Sequence, residues 1–170
     1  MRRAFSLVEV VIAVGIFATA VAVVLGLLPA LVGQTSSASE SLVAQRLPDP
    51  LRLELQRLAA SGGFDALASR APIAATPLNG GLAFVASRDG ARLHALDYLP
   101  PTMAEALAED EQFFLIEVWR FPSGPLAYDP AGAVLPLTVR VSWPYRAPGS
   151  VVVVAAASRS QLTFNTSLLR

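Results

Sequence analysis

The hydrophobic pattern divides the chain into three stretches. The first is an apolar run: from Val10 to Val32 no residue is charged, and only Thr19 carries a polar side-chain group. As a helix this run extends about 35 Å, enough to cross a bilayer core. It is too long and too uniform for the amphipathic helix of a soluble core. From Gln34 to Gln45 polar residues enter while helix formers persist, so the helix is predicted to continue to Arg46. Counted from Phe5, it is about 60 Å long. Gly26 and Pro29 interrupt the pattern, and Pro29, which lacks an N–H and crowds the preceding turn, predicts a kink. A second helix is predicted over "LPDPLRLELQRLAASGG" (47–63). Asp49 caps it, Pro50 suits its first turn, Leu51, Leu55 and Leu58 form a core stripe, and Gly62-Gly63 stop it.

Beyond Gly80 the period changes to that of strands. "GLAFVAS" (81–87) and "ARLHALDYL" (91–99) flank "RDG", a hairpin signal. "TMAEALAED" (102–110) reads as a short helix. "QFFLIEVWRF" (112–121) alternates Phe114, Ile116 and Val118 against more polar neighbours. In "AVLPLTVRVSWPY" (133–145), Leu137, Val139, Val141 and Trp143 share one face, with Thr138, Arg140 and Ser142 on the other. "RAPG" (146–149) then turns the chain into a strand over "SVVVVAAASRSQLTF" (150–164). Four or five strands joined by turns predict an antiparallel sheet with one face packed on a helix, an α+β fold.

Composition narrows the chemistry. Basic and acidic residues balance at 13 each, and every basic residue is arginine. Without lysine there is no Schiff-base nitrogen and no P-loop lysine. Nothing after Arg2-Arg3 concentrates positive charge, so nucleic-acid binding is not predicted. Without cysteine there are no disulfides, thiolate metal sites or thiol nucleophiles. His94 is the only histidine, which removes triads and histidine-rich metal sites and leaves it as a half-exposed sheet residue. The acidic group Glu105, Glu109, Asp110 and Glu111 falls on a predicted helix, lacks the Asp-x-Asp-x-Asp spacing of a calcium loop, and reads as a solvated face. "SGPLAYDPAGAVLP" (123–136) reads as a connector with Tyr128 exposed. No metal site, cofactor motif or catalytic constellation is predicted.

One residue breaks the logic of the apolar run. Glu9 stands at its threshold, and a carboxylate at mid-membrane costs about 2.5–3.5 kcal/mol. Either the group snorkels to the interface beside Arg2 and Arg3, or something neutralises it. A cleaved secretory signal, with "TSSASE" (35–40) as its exit, would need a much shorter apolar core and no acid at its start. A plain uncleaved anchor leaves Glu9 unexplained.

"AFSLVEVVIAVGIFATAV" (4–21) resembles the processing motif of type IV prepilins and pseudopilins: a small residue, Phe, a short Ser-Leu-Val stretch, Glu, then a long apolar helix. "EVVIAVGIFA" (9–18) is most similar to minor pseudopilins of type II secretion-like systems. The start is also similar to a prepilin-like family called Verru_Chthon cassette protein B. The resemblance implies that a membrane peptidase cuts between Ala4 and Phe5 and methylates the new amino terminus of Phe5. The family usually has glycine where this chain has Ala4, one methyl group larger. Glu9 then becomes the fifth residue of the mature chain, the family's glutamate position.

Physical chemistry is consistent with that role. Phe5 and Glu9, four apart, share a helix face, and the positive end of the helix dipole favours a carboxylate there. In a filament the ammonium of Phe5 on one subunit would meet Glu9 of its neighbour, offsetting the carboxylate's cost and setting the axial stagger. The expected organisation is a leader over 1–4, a membrane and polymerisation helix over 5–33, a helical continuation and second helix over 34–62, and a periplasmic domain over 63–170. Arg2-Arg3 predict a cytoplasmic amino terminus, hence a single pass through the inner membrane. The expected function is that of a minor pilin or pseudopilin, not an enzyme, in a type IV pilus-like or type II secretion-like filament. Its partners would be other pilin-like subunits, the prepilin peptidase/methyltransferase, the inner-membrane assembly platform and membrane lipid. The alternative is a single-pass, membrane-anchored periplasmic binding module that never polymerises.

Overall fold

The computed structural model describes residues 6–73, 81–96 and 107–170. Helix α1 (Leu7–Arg46) is continuous through Pro29. Every residue from Ser6 to Thr35 is exposed, including the large apolar side chains of Leu7, Ile12, Phe17, Leu25 and Val32. The helix is long and apolar enough to cross a membrane. Thr19, Thr35 and Ser37 do not interrupt it. Each hydroxyl donates to the carbonyl one turn back, at 2.9, 2.9 and 3.1 Å. Ordinary contacts divide the chain into two compact units, 1–39 and 40–170.

In the second unit the last turns of α1 lead to α2 (Pro48–Gly62), and Ala44 and Leu47 are already buried. The boundary is chemical: Pro48 and Pro50 have no N–H to continue the ladder. Asp49 is not the cap that the sequence pattern predicts. Leu47 occupies that position and makes no side-chain capping bond, while Asp49 lies in the first turn. Leu51, Leu55 and Leu58 form the expected buried stripe. At the end of α2, Gly63 takes φ +91°, its N–H bonding Ala59 O at 2.9 Å. A side chain is strained at that angle, which is why glycine stands there. A third helix, α3 (Phe64–Arg70), follows directly and buries Phe64, Leu67 and Ala68.

Five strands form one antiparallel sheet in the order β2-β1-β3-β4-β5. They are β1 (Leu82–Ala86), β2 (Leu93–Ala95), β3 (Phe114–Arg120), β4 (Val134–Trp143) and β5 (Ser160–Leu169). The "RDG" hairpin closes β1 on β2, with Gly90 at φ +71°. A Cβ at Gly90 would stand 2.9 Å from Val43 Cγ1, so glycine also permits the close approach to α1. The main core lies between α2, α3 and the sheet face formed by Phe84, Phe114, Ile116, Val118, Leu137, Val139, Val141 and Trp143. A smaller cluster of Val85, Leu107, Leu115 and Tyr145 covers part of the other face.

Two strand readings need correction. The valine run does not continue the sheet: Val151, Val152 and Val153 are exposed, a 3₁₀ turn follows at Ala156–Ser158, and β5 begins only at Ser160 and runs beyond Phe164 to Leu169. Ser142 belongs to the polar alternation yet is buried, and its Oγ has no hydrogen-bond partner. The helix predicted over 102–110 lies partly outside the described residues; its end, Glu109–Glu111, is a 3₁₀ turn.

Candidate functional site

Ser6 and Glu9 open α1. The Ser6 carbonyl accepts the Val10 N–H at 3.3 Å, which makes Ser6 the residue before the helix, and its Oγ accepts the Glu9 N–H at 3.2 Å. Ser-x-x-Glu in this position is a capping-box pattern. Ser6 is the residue that the sequence reading missed, although its three-residue spacing from Glu9 is a recognised start signal. Among the described residues, the Glu9 carboxylate has no hydrogen-bond or ion-pair partner. It shares a shallow depression with Val10, Ala13, Val14 and Phe17, one continuous helix face. An acid at the edge of an apolar face, in the first turn of a helix, can pair with a cation from outside. Ala4 and Phe5, the predicted cleavage pair, lie outside the described residues, as do Arg2 and Arg3. Pro29 lies within the helix with exposed neighbours on both sides.

The second unit holds a different concentration of polar groups. Ser87, Arg88, Asp89 and Arg92 of the β1–β2 hairpin meet Asp110 and Glu111 and the turn at Pro148-Gly149 around a pocket of about 340 Å³, with Phe113 in its wall. Most of its charges are already matched. Arg92 pairs with Glu111 at 2.8 Å, and Arg88 with Glu40 at 2.7 Å while lying over the Phe113 ring. The Ser87 hydroxyl donates to Asp89 at 2.5 Å and the Ala91 N–H at 3.0 Å. These bonds hold the Asp89 carboxyl below its ordinary range, against a smaller opposing effect of burial. Hydrogen bonding to Glu111 raises the Arg92 guanidinium above its own. Of the predicted solvated acidic face, Glu109, Asp110 and Glu111 are exposed, and at this surface Glu111 and Glu109 pair with Arg92 and Arg146, the latter at 3.1 Å. Glu105 lies outside the described residues. His94 sits half-buried on β2.

Tyr128 is not the free, exposed residue expected of the 123–136 connector. Its ring packs against Phe64 with centroids 6.3 Å apart, the Arg120 guanidinium lies 5.7 Å from its centroid, and its hydroxyl donates to Asp65 at 2.6 Å. That donated bond raises the Tyr128 pKa, because a phenolate would face the carboxylate. Arg170 reaches the same Asp65 oxygen. The connector is therefore pinned to α3. Comparison with protein-family models, curated proteins and solved structures finds no match for the chain.

Proposed function

We propose that this chain is a prepilin-like subunit, cut between Ala4 and Phe5, methylated on Phe5 and built into a short envelope filament of the type IV pilus or type II secretion kind. It is a minor subunit in this reading, and a substrate of the prepilin peptidase rather than an enzyme. The observation that carries the proposal is Glu9: a carboxylate without a partner among the described residues, in the first turn of an apolar helix exposed on every side, preceded by Ala-Phe-Ser-Leu-Val. After cleavage the amine of Phe5 lies just ahead of the Ser6 cap. In a bundle of such helices, the amine of one subunit neutralises Glu9 of the next and removes the cost of a lone charge in lipid. The depression formed by Val10, Ala13, Val14 and Phe17 receives the neighbouring helix. The amino terminus is cytoplasmic before cleavage and the sheet-bearing unit is periplasmic, anchored in the inner membrane. Other pilin-like subunits and the assembly platform are its partners.

The Ser6–Glu9 bond supports a second reading, in which Glu9 merely caps the helix of an anchored binding module. Glutamine at the third helical position serves a capping box as well as glutamate, but it cannot neutralise an ammonium. Glu9→Gln and Glu9→Leu are therefore both expected to insert in the membrane yet lose incorporation into filaments, measured by crosslinking to co-expressed subunits. Wild-type incorporation by Glu9→Gln would reduce Glu9 to a cap.

A further inference from the structure

The two edges of the sheet differ. β2 is three residues long, and a short edge offers little to another strand. β5 is ten residues long, paired to β4 without a bulge from Ser160 to Leu169. It contains no proline and no charged residue; Arg159 and Arg170 stand just outside it. Among the described residues, no hydrogen bond reaches the backbone of its outer edge. Shortness, charge, proline and bulges are usual defences of an exposed edge, and β5 has none of them. Its core-facing side is also unfinished. Leu162 and Phe164 pack on the core yet stay half-exposed, whereas Val139 and Val141 opposite them on β4 are fully buried.

We infer that the outer edge of β5 is an interface at which a second copy of this chain adds its own β5, antiparallel, to form one continuous sheet. Three features favour a copy over a different strand. The two edges match in length, which β2 against β5 does not. An uncharged strand meets itself without repulsion. Directly opposed residues of antiparallel strands share a face, so a two-fold axis on Thr163 sets Leu162 of each copy opposite Phe164 of the other, and an axis on Phe164 opposes the two Phe164 rings with Leu162 on the diagonal; either brings these half-exposed side chains together. Such self-complementary two-fold contacts are the commonest way in which identical chains associate. This inference does not rest on the filament reading.

The absence of cysteine makes the test clean. Thr163 and Asn165 are exposed, on the side of the sheet away from the main core. Opposed residues there lie about 4.5–5.5 Å apart, within disulfide reach. Full-length Thr163→Cys and Asn165→Cys chains, separately and mixed in detergent micelles under a mild oxidant, are expected to give a disulfide dimer in at least one combination. Which one forms reports the register. Thr138→Cys, one strand inward on the same face, is expected to stay unlinked. In light scattering, the double variant Thr163→Glu/Asn165→Glu is expected to lose the dimer, because like charges then oppose across the axis. A wild-type monomer, a dimer untouched by the double variant, or equal crosslinking at position 138 would each overturn the inference. A methylated Phe5 without a β5 disulfide would remove this interface and leave the filament proposal standing; the converse would do the reverse.

Discussion

Single residues here carry distinct and separable burdens. Asp89 holds the β1–β2 hairpin through Ser87 Oγ and the Ala91 N–H, bonds that lower its pKa from the ordinary carboxyl range. A carboxylate depressed in the fold contributes stability that is fully present above its unfolded pKa and is lost as pH falls through the folded value. Asp89→Asn is therefore expected to lower the melting temperature at neutral pH, with the gap from wild type closing under acid conditions. Tyr128 has the opposite sign: its raised pKa adds stability present below its unfolded value and lost as pH climbs through the folded one. In a spectrophotometric titration its phenolate is expected to appear later than an ordinary tyrosine's, and Asp65→Asn to bring it back. Ser142 contributes a buried hydroxyl without a partner. Removing such a group relieves a cost of about 1–3 kcal/mol, so Ser142→Ala is expected to hold or raise the melting temperature. The Tyr128 and Ser142 roles are not visible in the sequence, because each depends on a partner or an enclosure supplied by another segment, whereas Asp89 is held by Ser87 and Ala91 of its own turn.

At the scale of elements, periodicity carried the reading furthest where burial is one-sided. The Leu51/Leu55/Leu58 stripe and the alternation of Leu137, Val139, Val141 and Trp143 stand as the pattern predicts, because each element has one core face. Leu55 is fully buried, and Leu55→Ala is expected to cost about 2–5 kcal/mol in denaturant unfolding, as truncations of core leucines do. The pattern failed at Val151–Val154, where strong strand formers lie outside the sheet. Arg146 and Arg159 bind the carbonyls of Val151 and Val154 there, and the backbone returns to Tyr145 and Ala147, so side-chain and loop bonds outweigh β propensity. It failed again at the start of α2, where Pro48 and Pro50, not the Asp49 side chain between them, set the boundary.

Across the whole molecule, a two-part composition stands out even in the bare sequence: an apolar helix, then a domain with its own core and an antiparallel sheet. The helix and the α+β fold were legible because both follow from hydrophobic period alone. The candidate site was legible only in part. Glu9 declares itself as an acid on an apolar run, whereas Ser6 gains meaning once its hydroxyl is seen accepting the Glu9 N–H. The hairpin pocket and the bare β5 edge emerge only from the meeting of distant segments. If the apolar helix is a membrane anchor, the full chain will resist alkaline extraction from membranes, and a chain starting at Glu40 will be released by it.

In the proposed filament Glu9 is tolerated in lipid because the amine of Phe5 on another subunit neutralises it, an amine that cleavage between Ala4 and Phe5 would free. Mass spectrometry of the amino-terminal peptide from membrane-extracted protein tests this most directly. The expected result is a chain beginning at residue 5 with an N-methylated phenylalanine; an intact Met1, or a cut near Ser39, would contradict it.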